Sequence, residues 1–278
     1  MTVKAQVSLV EMNSGDDVAA NLHAAAAAVA DAAAAGARLV VLPENFAFLG
    51  ADAQAKFAVA EDAGDGPIQR WLADTAAASG VWLVGGTIPL HGDDGARVRA
   101  ACLVYDDTGH CRARYDKIHL FDVDLGAGEG YRESATFEPG DRPAWVDTPL
   151  GRLGLAVCYD VRFPELFRWL ADAGCELVAL PSAFTVPTGQ AHWTVLVRAR
   201  AIENGMWLLA PGQVGSHPGG RRTWGHSLVV DPWGVVLAEG EGPGAVTAAF
   251  DPDAVAAARR RIPALEHRRP AAYAARRS

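Results

Sequence analysis

Short apolar runs alternate with helix-forming stretches along almost the whole chain, and that alternation restricts the fold more than any other feature. The segments "KAQVSLVEM", "ARLVVLPEN", "VWLVGGTI", "LGLAVCYD", "ELVALPSAF" and "MWLLAPGQV" read as strands, being short, rich in Val, Leu and Ile, and bounded by polar or Gly/Pro positions. Between them, residues 16–35 form an alanine-rich helical stretch stopped by Gly36, and residues 67–79 a second stopped by Gly80. "PELFRWLADAG" and "AHWTVLVRARAIENG" add two more. "RVRAACLVYDDTGHCRARYDKIHL" alternates on both sides of Asp107-Thr108-Gly109 and predicts a hairpin. A later hairpin pairs "GHSLVVDP" with "VVLAEG" across Trp233-Gly234, before a C-terminal helix and tail. Mixed strands with helices on the outer faces predict one α/β domain with two stacked sheets. Periodicity alone fits an open doubly wound sheet equally well. No repeat or low-complexity linker divides the 278 residues, so a single domain over 1–278 is expected.

Composition excludes several functions. No apolar run reaches the roughly 18–20 residues of a membrane span, and the first apolar stretch is too short for a signal peptide. The four cysteines form no C-x-x-C pair and the eight histidines are scattered, so the expectation is reduced thiols, no metal, and a cytoplasmic location. The net charge is −8, but the segment from Asp251 onward carries +4, leaving −12 on the body. An acidic body argues against nucleic-acid binding.

Three strand ends carry reactive groups directly after an apolar run: Glu44 in "LVVLPE", Lys117 in "RARYDK" and Cys158 in "LGLAVC". Strand ends are where α/β sheets gather catalytic groups. Each alone is more often a packed thiol or a solvated cap. Together they suffice for acyl transfer. A carboxylate takes the thiol proton, an ammonium stabilises the oxyanion, and the thiol attacks a carbonyl or nitrile carbon. No G-x-S-x-G elbow, Walker loop or dinucleotide fingerprint competes. Cys102, Cys111 and Cys175 read as packing, and His119 and His192 as structural.

"LPENF", "YDKIHLFD" and "GLAVCYDVRFPELFR", in this order and at these separations, resemble the three signature segments of the nitrilase, or carbon–nitrogen hydrolase, superfamily. The resemblance extends to the C-terminal "HRRPAAY". It implies a four-layer α-β-β-α sandwich and a Glu44–Lys117–Cys158 triad that needs no cofactor. It also implies a second active-site carboxylate within "YRESATFEPGD", for which Glu133 is the better candidate and Glu138 the lesser. The N–H of Tyr159 becomes an oxyanion donor beside Lys117. "TGQAHWTVLVRARAIENG" and "GQVGSHPGGRRTWGHSLVVDPWG" resemble the amidase branch, implying a small carboxylate-bearing amide, deaminated glutathione or else 2-oxoglutaramate, cleaved through a thioester with release of ammonia. Aliphatic amides, carbamoyl compounds, nitriles, an amine as acyl acceptor, and a silent scaffold subunit stay open. Arg162, Arg222 and Trp193 are the expected substrate contacts, with His217 and Arg221 on the same Gly-rich loop as Arg222. A homodimer or higher homo-oligomer is expected, with residues 251–278 in subunit contacts.

Overall fold

The computed structural model describes residues 5–52, 54–126 and 130–273. Its first sheet runs Gly244–Ala249, Gln6–Glu11, Ala37–Val41, Trp82–Val84 and Val98–Tyr105, the last strand also pairing with Ile88–His91 and Cys111–Asp116. The second runs Val236–Glu239, Leu228–Val230, Trp207–Ala210, Leu177–Ala179, Gly151–Leu155 and Ala144–Thr148. Each sheet is built around a parallel trio: Gln6–Glu11, Ala37–Val41 and Trp82–Val84 in the first, Gly151–Leu155, Leu177–Ala179 and Trp207–Ala210 in the second. The remaining neighbours are antiparallel.

The period of two along each strand sorts side chains into layers. Val7, Leu9, Leu39 and Val41 face inward and share a core with Leu153 and Leu155 of the other sheet. Val10, Val40 and Leu42 point the other way, onto Ala25 and Val29 of helix Val18–Ala34 and Leu72 of helix Pro67–Ser79. On the far side, helices Pro164–Asp172 and Val186–Asn204 contribute Phe167, Leu170, Trp193 and Val197 to the core of the second sheet. The order is helix, sheet, sheet, helix, which is the expected four-layer sandwich.

Local departures from the sequence reading have physical causes. "VWLVGGTI" is two strands, broken at Gly86, whose φ is +54° and whose added Cβ would sit 2.0 Å from the Pro43 carbonyl oxygen. The helix expected from Ala191 begins at Val186, because Pro187 in a first turn sacrifices no helical hydrogen bond. Strands Ala144–Thr148 and Gly244–Ala249 carry too little apolar alternation to read as strands alone. Ladders with Gly151–Leu155 and Gln6–Glu11 supply what they lack. Cys111, read as packing, is exposed at a strand start. In the C-terminal segment, helix Ala254–Arg261 buries Val255 and Ala258 against its own chain, and Arg259 donates to the carbonyls of Cys175 and Asn204. The last five residues of that segment, 274–278, lie outside the described residues.

Candidate active site

Hydrogen bonds that continue past the strands fix all three strand-end residues. In the first sheet Leu42 N–H donates to Val84 O at 2.9 Å, carrying the ladder one step on, and Gln213 Nε2 donates to the Glu44 carbonyl at 3.1 Å. Lys117 follows the last residue of its strand, with its N–H on Ala100 O. In the second sheet Ala156 and Cys158 donate to Ala179 O and Pro181 O, so the nucleophile candidate sits on an extension of the parallel ladder. There the chain turns sharply: Cys158 has φ +47° and opens the short 3-10 turn Cys158–Arg162. A non-glycine residue in that region stores about 1–3 kcal/mol and persists only where its surroundings hold it.

Asp160 is what holds it. Its carboxylate is fully buried and accepts from Tyr115 OH (2.7 Å), Val157 N–H (2.7 Å), His119 N–H (3.2 Å) and His119 Nδ1 (2.7 Å). His119 stacks on Phe163 with centroids 3.6 Å apart. One buried acid thus ties the Lys117 strand to the Cys158 turn. Sequence reasoning passed over Asp160, although an acid two residues past a candidate nucleophile was the available signal.

Lys117 Nζ donates to Glu44 Oε1 at 2.8 Å and to both oxygens of Glu133 at 2.9 Å. Glu133 also accepts the Phe121 N–H at 2.6 Å. Glu138 lies elsewhere, paired with Arg99. The Cys158 thiol lies close enough to the Glu44 carboxylate and the Ala183 backbone N–H for both to act on its acidity. Burial and the Glu44 charge together push the thiol well above its ordinary range, against the pull of Lys117. Burial raises Glu44, but the Lys117 ammonium outweighs it and holds the carboxyl below its usual value. Lys117, flanked by two carboxylates, is raised despite burial. At neutral pH the arrangement is therefore a neutral thiol in contact with an ionised carboxylate, beside a fixed ammonium. That is a nucleophile with its base in place and a cation where an oxyanion would form.

These groups line a cavity of about 150 Å³ that also includes Tyr131, Arg132, Tyr159, Phe184 and Arg221. Four cations, Lys56, Lys117, Arg132 and Arg221, face two carboxylates across it. Lys56 was not foreseen. It is buried, donates to Asn45 Oδ1 at 2.6 Å and lies within 6 Å of the Phe48 and Phe137 rings. Burial, then the Arg221 charge, lowers it to about 8 against the opposite pull of Glu44 and Glu133.

The three expected substrate contacts fall outside this cavity. Arg162 lies behind its wall, within 5.8 Å of the Tyr159 ring and 5.3 Å of Phe184, and donates to His192 Nδ1. Trp193 is a core residue whose Nε1 donates to His226 O. Arg222 lines an outer groove instead. Its neighbour Arg221 is the one that turns inward, donating to Ala183 O at 3.1 Å. Buried His217 anchors that loop through Ser14 O and Thr223 Oγ1.

With the geometry in view, comparison with known proteins is direct. Residues 6–260 match the carbon–nitrogen hydrolase family. The chain is 42% identical to a deaminated glutathione amidase of Yersinia enterocolitica over 95% of its length and 93% of that protein. It superposes on the Caenorhabditis elegans NitFhit protein with TM-score 0.87 and 36% identity, covering 98% of this chain and 66% of that one. An amidase from Nesterenkonia sp. AN1, solved with acrylamide added at its active-site cysteine, superposes with TM-score 0.80 and 29% identity over 97% of this chain and 98% of that one. Fold, motifs and relatives agree: the chain belongs to the carbon–nitrogen hydrolase family, within the nitrilase superfamily, and is a hydrolase of carbon–nitrogen bonds.

Proposed function

We propose that the protein hydrolyses a small carboxylate-bearing amide through a thioester on Cys158, with deaminated glutathione as the substrate. The observation that carries this reading is the Lys117 ammonium shared between Glu44 and Glu133, beside a buried thiol next to Glu44, in a cavity with two excess cations. As Cys158 Sγ attacks the amide carbon, Glu44 takes its proton and the oxyanion forms against Lys117 and the Tyr159 N–H. Collapse breaks the C–N bond, and the departing nitrogen receives the proton from Glu44. A water, deprotonated by Glu44, then attacks the thioester. The C–S bond breaks, the acid leaves, and Glu44 returns the proton to the Cys158 sulfur. Glu133 holds Lys117 in place throughout. The excess of cations supports an anionic substrate, as does the name of the Yersinia relative.

One expectation changes with the substrate. The amides of deaminated glutathione are secondary, so its cleavage frees an amine; ammonia is released only from a primary amide such as 2-oxoglutaramate. The test is product analysis on both substrates, with Cys158→Ala alongside. Amine release from deaminated glutathione, faster than ammonia from 2-oxoglutaramate and lost in the variant, is the expected result. Turnover of 2-oxoglutaramate alone would sink the substrate assignment, and turnover of neither would sink the amidase reading.

A further inference from the structure

A second cavity of about 650 Å³ opens outside the first. The two share Lys56, Tyr131 and Arg221 as a common wall, so a molecule reacting at Cys158 has the outer groove as its continuation. Leu49, Pro187, Gly219 and Gly220 are among the apolar and glycine residues of its other sides. Lys56, Arg221 and Arg222 line it, and among the described residues no carboxylate does. The three cations are differently placed. Lys56 is tied to Asn45 and Arg221 to Ala183 O, both bordering the inner cavity. Arg221 Nε is buried with no hydrogen-bond partner. Arg222 is exposed at the start of a short strand, and its guanidinium has no ion-pair partner among the described residues.

The inner cavity of about 150 Å³ accommodates an acyl unit of a few carbons, not a longer molecule. Whatever is attached to the amide nitrogen must therefore lie outside it. The geometry points to the outer groove as a leaving-group subsite, in which Arg222 receives a carboxylate carried by the departing amine, while Arg221 and Lys56 serve the acyl half. The subsite rests on the amidase reading above and adds to it the residue that reads the leaving group: deaminated glutathione departs as a dipeptide amine with a free carboxylate, and Arg222 is placed to take that carboxylate. A carboxylate meeting an unpaired guanidinium gains a charge-assisted, bidentate contact that a neutral terminus lacks.

The test uses three 2-oxoglutaryl amides that differ only beyond the amide nitrogen: the unsubstituted amide, one bearing a glycine with its carboxylate free, and the same with that carboxylate amidated. The wild-type enzyme is expected to favour the carboxylate-tailed over the amidated substrate about tenfold in kcat/KM, mainly through KM. Arg222→Ala should bring that ratio close to one, and Arg222→Glu should invert it. Because the ratio is taken within each variant, partial misfolding lowers both substrates together and leaves it unmoved. A wild type without preference, or a preference that survives Arg222→Ala, overturns the subsite while leaving the amidase standing. Hydrolysis of none of the three overturns the amidase reading and the subsite with it.

Discussion

Cys102, Cys158 and Cys175 are all buried thiols pushed upward by desolvation, so acidity does not single out the nucleophile. Contact with a base does, because only Cys158 among them meets a carboxylate held ionised by a neighbouring ammonium. Cys158→Ala should therefore lower kcat by about 10⁴-fold or more, and acrylamide should add one mass increment fewer to the variant than to the wild type, the exposed Cys111 being open to labelling in both. Lys56 belongs to the same scale. Its cation faces Arg221, Lys117, Glu44 and Glu133, and it titrates near 8. A lysine lowered in the folded state is charged below that value and neutral above it. For an anionic substrate, kcat/KM is thus expected to fall as pH rises through about 8, and Lys56→Gln should remove that limb. The stability effect has the opposite sense, since the unfolded chain keeps this proton up to about 10.4. Between about 8 and 10.4 the contribution of this group to stability rises with pH. A kcat/KM profile flat from pH 7 to 9 would count against a substrate contact at Lys56.

At the scale of elements, the site is a junction between two sheets, and Asp160 is the fastening. Four donors from the Lys117 strand and the Cys158 turn converge on its two oxygens. An isosteric amide cannot accept from all four and sets its own N–H groups against at least one. With burial complete, Asp160→Asn should cost about 2–4 kcal/mol and lower Tm by roughly 5–10 °C. It should also reduce kcat, because the φ +47° turn at Cys158 loses its support. A thermal melt overlaying the wild type would show that the network is dispensable. Gly86 plays a comparable part on the other sheet, where absence of a Cβ lets the Pro43–Glu44 turn approach the neighbouring strand.

At the scale of the molecule, apolar side chains remain exposed on the helical layer over the second sheet. Val195 is 68% exposed and Ile202 54%, both on helix Val186–Asn204, and Trp169 on helix Pro164–Asp172 is 44% exposed. A layer that buries one face and leaves Trp, Val and Ile on the other suits a second copy of the chain. Light scattering is expected to give a dimer or larger multiple, and Ile202→Glu with Val195→Glu should shift it toward monomer; a wild-type monomer would dismiss this. The strand tips Glu44, Lys117 and Cys158, the central strands and the α/β class were legible in the sequence, because apolar period and abrupt polarity at a strand end are local signals. Glu133 was legible only as one of two nearby carboxylates. Contact with Lys117 chose it, and contact with Arg99 removed Glu138. The wall of the inner cavity was not legible, since none of the three residues expected to contact the substrate lines it. Arg162, Arg222 and Trp193 were named by proximity in sequence or by residue type, yet which arginine turns inward depends on how a loop from residue 217 to 222 seats on Ser14 and Ala183. Local order sets which residues end a strand. Only packing between sheets decides which ends meet, because that partnership is made across distances the chain's own periodicity does not encode.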